Sequence, residues 1–400
     1  MGSKVIPVID LFSGAGGMSY GFKARNEFLI AGAADAELGK PSSKGASIGC
    51  NATYEANIGI RPHSIDIGRM SSKSLAALFG FERGFDGVLI ACPPCTDFSR
   101  TNPKNHKIDG ARNKLTQRVA IYIDQLNPKY FVYENAREAL AGNHSHHLQE
   151  VLNTLNEKQY FVSVEVLNFS DYGLPQTRER VVIVASRDRP IQGISGSWKS
   201  LAVPRQKCTV GMALSTLSRT AQLGGINLDK RHPKMTSRVF DRLDAIPLDG
   251  GSWIDLSVGR PDLLIPSMHK KLAEGKKGSF SDVYGRMHLG RVAPTIKREC
   301  GHVGNGRYSH PTENRLLTIS EMSFLQGFPC DYRFVGNSLS NCYRQIGDAV
   351  PPMISYQISA AILAAELNRK LTVNDLHLPL SAAHAFLVSP VAHKKRQNSI

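Results

Sequence analysis

Short apolar runs alternate along the first half of the chain with longer mixed segments. The runs fall at Val5 to Leu11, Phe28 to Ala34, Asp86 to Ala91, Tyr130 to Tyr133, Phe161 to Leu167 and Val181 to Ala185. Such near-continuous apolar character is expected of strands covered on both faces. Between them, Gly17 to Ala24, Ser71 to Phe79, Arg112 to Leu126 and His147 to Glu157 carry helical patterns. Strands alternating with helices predict a parallel α/β sheet with helices on both faces. One more short strand is predicted just ahead of Asp66, in Ser64-Ile-Asp-Ile67. From about Arg187 the alternation stops. Gly, Pro, Ser and basic residues become frequent with no clean period until about Val292, which predicts a second, smaller and irregular domain. Amphipathic helices return at Thr318 to Gln326 and Ile354 to Leu367, where the chain is expected to rejoin the first domain. The predicted division is 1–187 and 296–370 for the α/β part, 188–295 for the irregular domain and 371–400 for a C-terminal tail. The tail's basic His393-Lys394-Lys395-Arg396 is expected to be solvated.

Length and composition sharpen this picture. Four hundred residues exceed one ordinary core, so two domains are expected. With 42% hydrophobic against 21% charged residues, the chain can bury a large core, and a disordered class is excluded. No run reaches the roughly 18 to 20 apolar residues of a membrane helix. The N-terminus enters a strand directly, with no signal peptide, so a cytoplasmic protein is expected. Seven scattered cysteines, an odd number, read as reduced thiols and not as a disulfide framework. The formal charge of +15 points to a polyanionic partner. It is concentrated between Arg187 and Arg291, where 18 Lys and Arg face 9 Asp and Glu.

Three segments carry the candidate chemistry. Asp10-Leu-Phe-Ser-Gly14-Ala-Gly16-Gly17 joins the first strand to the first helix, and such a glycine-rich turn lets a ligand lie against the backbone. A carboxylate at the end of the second strand, Asp35 or Glu37, is placed to accept from a ribose. Asp66 is placed to accept from an adenine amino group. The second segment, Ala91-Cys92-Pro93-Pro94-Cys95-Thr96-Asp97-Phe98-Ser99, follows a buried strand at the sheet edge where ligands bind. A metal site there lacks a second pair of ligands at matching spacing, and His144, His146 and His147 lie in a polar loop, so no metal is expected. The two prolines disfavour the helix start of a redox Cys-x-x-Cys pair. The third is Gln176-Thr-Arg178-Glu-Arg180, whose two arginines would share one face of an extended segment.

Taken in order, these blocks resemble the cytosine-carbon-5 DNA methyltransferases. The Asp10 to Gly17 loop resembles the family's first motif, Pro94-Cys95 its Pro-Cys motif and Tyr133-Glu134-Asn135 its Glu-Asn motif. Gln176-Thr-Arg178-Glu-Arg180 resembles the Gln-x-Arg-x-Arg motif. Arg315 to Pro329 and Gln345-Ile-Gly-Asp-Ala-Val-Pro351 resemble the two closing motifs. The resemblance covers about Val5 to Ser186 and Val292 to Leu367. It implies a class I, Rossmann-like fold of the S-adenosylmethionine-dependent methyltransferases and a smaller target-recognition domain in the basic middle stretch. It implies S-adenosylmethionine held by Asp10, Phe12, Gly14, Gly16, Gly17, Asp35 or Glu37, Asp66, Ile67 and Pro93. It implies Cys95 as nucleophile on a flipped-out cytosine, Glu134 as the acid at ring nitrogen 3, and Arg178 and Arg180 at the base, with Arg180 holding the ring oxygen. For either arginine, a structural ion pair with Glu134 or Glu179 is the alternative.

Two features depart from the family pattern. Gly39 to Gly49 lengthens the connection from Asp35 to Thr53-Tyr54-Glu-Ala-Asn57, and Asp348 stands where the family usually has Asn. The partners expected are double-stranded DNA and, acting separately, a cognate restriction endonuclease, with the chain a monomer. A transfer-RNA methyltransferase on the same scaffold lacks support, because the Cys-Phe-Thr signature of that branch is absent. A catalytically silent DNA-binding protein is argued against by intact Cys95, Glu134, Arg178 and Arg180.

Overall fold

A computed structural model describes residues 5–38, 47–80, 83–94, 109–110, 112–202, 207–275 and 282–383. Six strands form one sheet: β1 (Ile6–Leu11), β2 (Phe28–Ala34), β3 (Val88–Ala91), β4 (Tyr130–Ala136), β5 (Phe161–Asn168) and β6 (Glu179–Ser186). The order across it is β2-β1-β3-β4-β6-β5. All six predicted strands are present within a few residues of their expected ends. The expectation of a wholly parallel sheet needs correction, because β6 runs antiparallel to both β4 and β5. β5 reaches β6 through a tight turn at Phe169–Tyr172, with Gly173 at φ 90°, and so short a link permits only an antiparallel return. The strand expected before Asp66 is also absent. His63 makes a single bridge to Ala34, and a one-turn helix follows at Ile67–Arg69, with Asp66 accepting from the Gly68 amide as its cap.

Four helices come first: α1 (Gly17–Lys23), α2 (Cys50–Ile58), α3 (Ser72–Phe79) and α4 (Lys114–Leu126); α1, α3 and α4 follow the sequence pattern, whereas α2 has no counterpart in it. α5 (Glu138–Ala141) and α6 (His146–Glu157) come next. Alternate residues of the strands feed two apolar layers. Val8, Ile30, Ile90, Val132 and Val182 join one layer with Phe22 of α1, whereas Ile9, Leu89, Phe131 and Ile183 join the other with Leu75, Ile123 and Val151 of α3, α4 and α6. The two-sided cover read from the apolar runs is thereby accounted for.

The middle stretch is more regular than expected. It holds α7 (Ile194–Leu201), α8 (Val210–Gly224), α9 (Ser237–Asp244), α10 (Trp253–Gly259) and α11 (Pro266–Ala273). In α8 the buried Val210, Ala213, Leu217 and Ala221 keep helical spacing behind a Thr209 cap, a period that the surrounding Gly and Pro content obscures. Chain return is made by α12 (Ile319–Leu325), α13 (Leu339–Asp348) and α14 (Pro352–Leu367). The first turn of α12 is closed by a capping box of Thr318 and Glu321. α14 is not amphipathic over most of its length, because every residue from Pro352 to Leu363 is buried. It packs against α1, and only glycine fits where the two cross: a Cβ on Gly21 would stand 2.2 Å from the Tyr356 amide nitrogen. Beyond α14 the chain stays docked to Ala383. Asp375 pairs with Arg369 and Arg25, and Leu376, Leu378 and Ala382 are buried. The basic His393 to Arg396 lies outside the described residues.

Candidate active site

Three connections meet at the C-terminal edge of the sheet. β1, β3 and β4 end side by side, with Leu11 paired to Ala91 and Ile90 to Val132. The strand order reverses direction at β1, and a crevice at that point is where open α/β sheets bind ligands. A cavity lies there. Asp10, Phe12, Gly14, Gly17, Asp35, Glu37, Asp66 and Ile67, all expected from sequence, line it. Gly16 does not; it holds φ 89° and backs onto Tyr332 and Tyr54, so its place is in the packing beneath the loop. Pro93 is replaced at the wall by its neighbours Cys92 and Pro94, while its carbonyl accepts from Asn135 Nδ2 at 3.0 Å. That bond ties the Glu-Asn motif to the Pro-Pro turn, a role for Asn135 that sequence spacing did not reveal. Residues from the far end of the chain also line the cavity, among them Arg298, Gln345, Asp348 and Val350. Gly17 allows this approach, since a Cβ there would stand 2.1 Å from the Val350 carbonyl oxygen.

The carboxylates of the cavity differ in what they have left to offer. Asp35 is occupied. Its Oδ2 accepts from the Gly14 amide at 2.9 Å and its Oδ1 from the Glu37 amide at 2.6 Å, so it braces the first loop against the end of β2. Glu37 sits at φ 52°, and among the described residues only its Oε1 is engaged, by the Asn51 amide at 2.8 Å. Asp66 caps the short helix and pairs with the exposed Arg69 at 3.1 Å. Asp10 is buried; Ser19 Oγ donates to its Oδ2, and its Oδ1 has no partner among the described residues. Burial first, with Asp35 nearby, pushes the Asp10 carboxyl up to about 7 despite the Ser19 bond. A cationic ligand group beside Oδ1 would relieve that burial. A free Asp10 oxygen, Glu37, Asp66 and the apolar Phe12, Ile67 and Val350 together suit a ligand with a charged amino-acid end, a ribose and a flat base.

Beside this cavity stands a buried pair. Arg180 Nε lies 3.2 Å from Glu134 Oε1, on neighbouring strands β6 and β4. Cys92 sits between the two centres, its thiol pushed well above the ordinary value by burial and then by the carboxylates of Glu134 and Asp10. Arg178 goes elsewhere. Its guanidinium donates to the carbonyls of Ile296 and Ala349, both at 3.2 Å. Gln176 supports the same junction: its Oε1 accepts from the Ile296 amide and its Nε2 donates to Leu325 O and Gln326 Oε1. Among the described residues, then, the two arginines do not share one set of partners, although their spacing had suggested it. β6 begins only at Glu179, so Arg178 lies outside the pleat that would align them. Cys95 lies outside the described residues, as does 39–46 of the Gly39 to Gly49 insertion.

A family model described as C-5 cytosine-specific DNA methylase matches residues 6–364. The chain belongs to that family. The methylase is 31% identical over 361 residues to the type II methylase M.HgiDII of Herpetosiphon aurantiacus, covering 89% of this chain and 94% of that protein. It is 32% identical over 285 residues to the type II methyltransferase M.NgoFVII of Neisseria gonorrhoeae, covering 69% of each. Among solved structures, a putative DNA modification methyltransferase encoded within an E. coli prophage superposes with TM-score 0.66 at 19% identity, over 91% of this chain and 100% of that one. The Dnmt2 methyltransferase of S. pombe superposes with TM-score 0.57 at 17% identity, over 91% and 100%. At such identities the superpositions establish the fold, the Rossmann-like methyltransferase sheet expected from sequence. The family is S-adenosylmethionine-dependent, its reaction is cytosine-C5 methylation of DNA, and this chain is such an enzyme. No helix among the described residues is long and apolar enough to cross a membrane.

Proposed function

We propose that this methylase modifies cytosine within one specific double-stranded DNA sequence, and protects that sequence from a cognate restriction endonuclease. The type II names of its relatives support the second half of this reading. The observation that carries the first half is the Glu134–Arg180 pair, set on the sheet edge beside a cavity with acids suited to a nucleoside. S-adenosylmethionine, when bound, supplies an electrophilic methyl group. Glu37 holds the ribose through its unengaged oxygen, Asp66 and Ile67 face the base, and Asp10 takes the ammonium end. Asp35, already saturated by two amides, shapes the loop that carries Glu37.

Carbon 5 of cytosine is a weak nucleophile in an aromatic ring. The Cys95 thiolate adds to carbon 6, and the displaced electron pair moves toward ring nitrogen 3, making carbon 5 nucleophilic. Glu134 donates a hydrogen bond at that nitrogen and stabilises the charge that develops there. Arg180 orients Glu134 and reaches the ring oxygen. Once carbon 5 carries the methyl group, loss of its proton to a base and expulsion of the Cys95 thiolate restore the aromatic ring. Arg178 acts at a distance, by locking the recrossing segment at Ile296 and the closing motif at Ala349 into place.

The target atom is out of reach inside a duplex, so the cytosine is flipped, at a cost of about a few kcal/mol in stacking. Residues 188–295 provide the grip, with exposed Arg219, Lys230, Lys234 and Arg238 placed to meet phosphates. Residues 1–187 and 296–370 form the catalytic part. The chain acts as a monomer in the bacterial cytoplasm. Transfer of tritiated methyl groups to duplex DNA and to transfer RNA tests the reading. Label in duplex DNA that disappears with Cys95→Ala is expected; label in RNA, or in DNA with that variant, overturns it.

A further inference from the structure

Away from the cavity, one more group of ligand-type side chains converges. Asp109 stands ahead of α4, its Oδ1 accepting from Asn113 Nδ2 at 2.9 Å. The turn into α6 presents three histidines to its carboxylate. His147 Nε2 is 2.9 Å from both carboxylate oxygens, His146 Nε2 is 3.6 Å from Oδ2 and His144 Nδ1 is 3.9 Å from Oδ1. Consecutive helical residues point about 100° apart, yet the His146 and His147 rings lie 4.0 Å apart and tilted by 39°, both turned to the same carboxylate. One ligand atom each from Asp109, His146 and His147 lies within 4.8 Å of the others. Donors around a tetrahedral ion with bonds near 2.1 Å stand roughly 3.4 Å apart, so small rotations bring these atoms to that spacing.

We propose that Asp109, His146 and His147 bind a divalent transition metal of borderline softness, such as zinc, with His144 or water in the fourth position. Two imidazoles and a carboxylate suit zinc, nickel or copper and not the hard cations, which prefer all-oxygen sites. His144 Nε2 is enclosed and has no hydrogen-bond partner among the described residues, so the third ring has capacity to spare. No cysteine takes part, and the absence of a cysteine-based motif therefore does not bear on this site. A bound ion would join the segment that follows Cys95 in sequence to the start of α6, two parts of the chain otherwise linked here by hydrogen bonds.

Zinc and cobalt titrations of the full, tag-free chain after chelator treatment test the proposal. One ion per chain is expected, with a cobalt spectrum free of thiolate charge-transfer absorption and a rise in thermal midpoint. His146 is largely exposed, so His146→Ala should fold, as circular dichroism and cofactor binding would verify. That variant and Asp109→Asn should each weaken zinc binding at least tenfold. If the native chain takes up no zinc, or His146→Ala binds it as tightly as the native chain, the site does not exist.

Discussion

Arg180 and Glu134 face each other across β6 and β4, with Arg180 Nε 3.2 Å from Glu134 Oε1, although the strand partner of Arg180 is Ala136, two residues further on. The contact is diagonal, reached because the long guanidinium leans along the strand. Both side chains are largely withdrawn from water, so the pair orients Glu134 more than it adds net stability.

Glu134→Gln keeps the shape and removes the acid. Turnover in the tritium assay should fall by about 10² to 10⁴, with cofactor affinity unchanged. Arg180→Ala should lose activity and also destabilise the chain by about 3 kcal/mol, because it leaves the buried Glu134 side chain without its partner. Urea denaturation measures the second effect.

Arg298 and Asp348 form a charge pair at the wall of the sheet-edge cavity, joining the segment after the basic stretch to the closing motif. Asp348 replaces the amide usual in the family, and a guanidinium is present to meet the added charge. Arg298→Ala should raise the KM for S-adenosylmethionine about tenfold, the scale of one charge-assisted hydrogen bond of ~1.5 kcal/mol. Asp348→Asn, which still accepts from Arg298, should change it little. A double-mutant cycle on KM reads the coupling directly.

Asp10 predicts a pH dependence in the cofactor-free enzyme. Its carboxyl is raised from 3.8 to about 7 in the folded chain, so between those values the native state holds a proton that the unfolded state releases. The stability it contributes is full below pH 3.8 and is lost as pH rises through about 7. Thermal midpoints of the native chain minus those of Asp10→Asn should therefore decline across that window and level off above it. A flat difference would contradict the burial of Asp10.

The basic middle stretch divides into two kinds of cation. Arg286 is fully buried and donates to the carbonyls of Leu243, Ile246, His310 and Glu313 and to Asn314. Arg286→Ala should cost on the order of 3–5 kcal/mol of stability, because several buried acceptors lose their donor. Exposed Lys230, Lys234 and Arg238 form no hydrogen bond or salt bridge among the described residues. Replacing all three by Ala should leave stability nearly unchanged and flatten the salt dependence of DNA binding, by about one unit of log–log slope for each phosphate no longer neutralised. Filter binding across a salt series distinguishes the two groups.

The strands, four of the helices that cover them and the order of the motif blocks were legible, because each rests on local rules of apolar periodicity, caps and glycine turns; α2 was not. Strand direction in β6 was not, since it depends on the length of the turn from β5. The helices of the middle stretch were missed although α8 carried a readable period and cap. Among the acids, spacing left Asp35 and Glu37 open, and only the Gly14 and Glu37 amides show that Asp35 is engaged.

The sequence alone determined the family and the inventory of groups at the sheet edge, since those follow from residue types and their order. Tertiary structure decided which groups meet. Arg178 and Arg180 are two residues apart, yet one binds the carbonyls of Ile296 and Ala349 and the other faces Glu134. Asp109 and His147, far apart in sequence, share hydrogen bonds. Meetings of that kind depend on where distant segments pack and which backbone groups they leave unpaired, and no local pattern of residues encodes either.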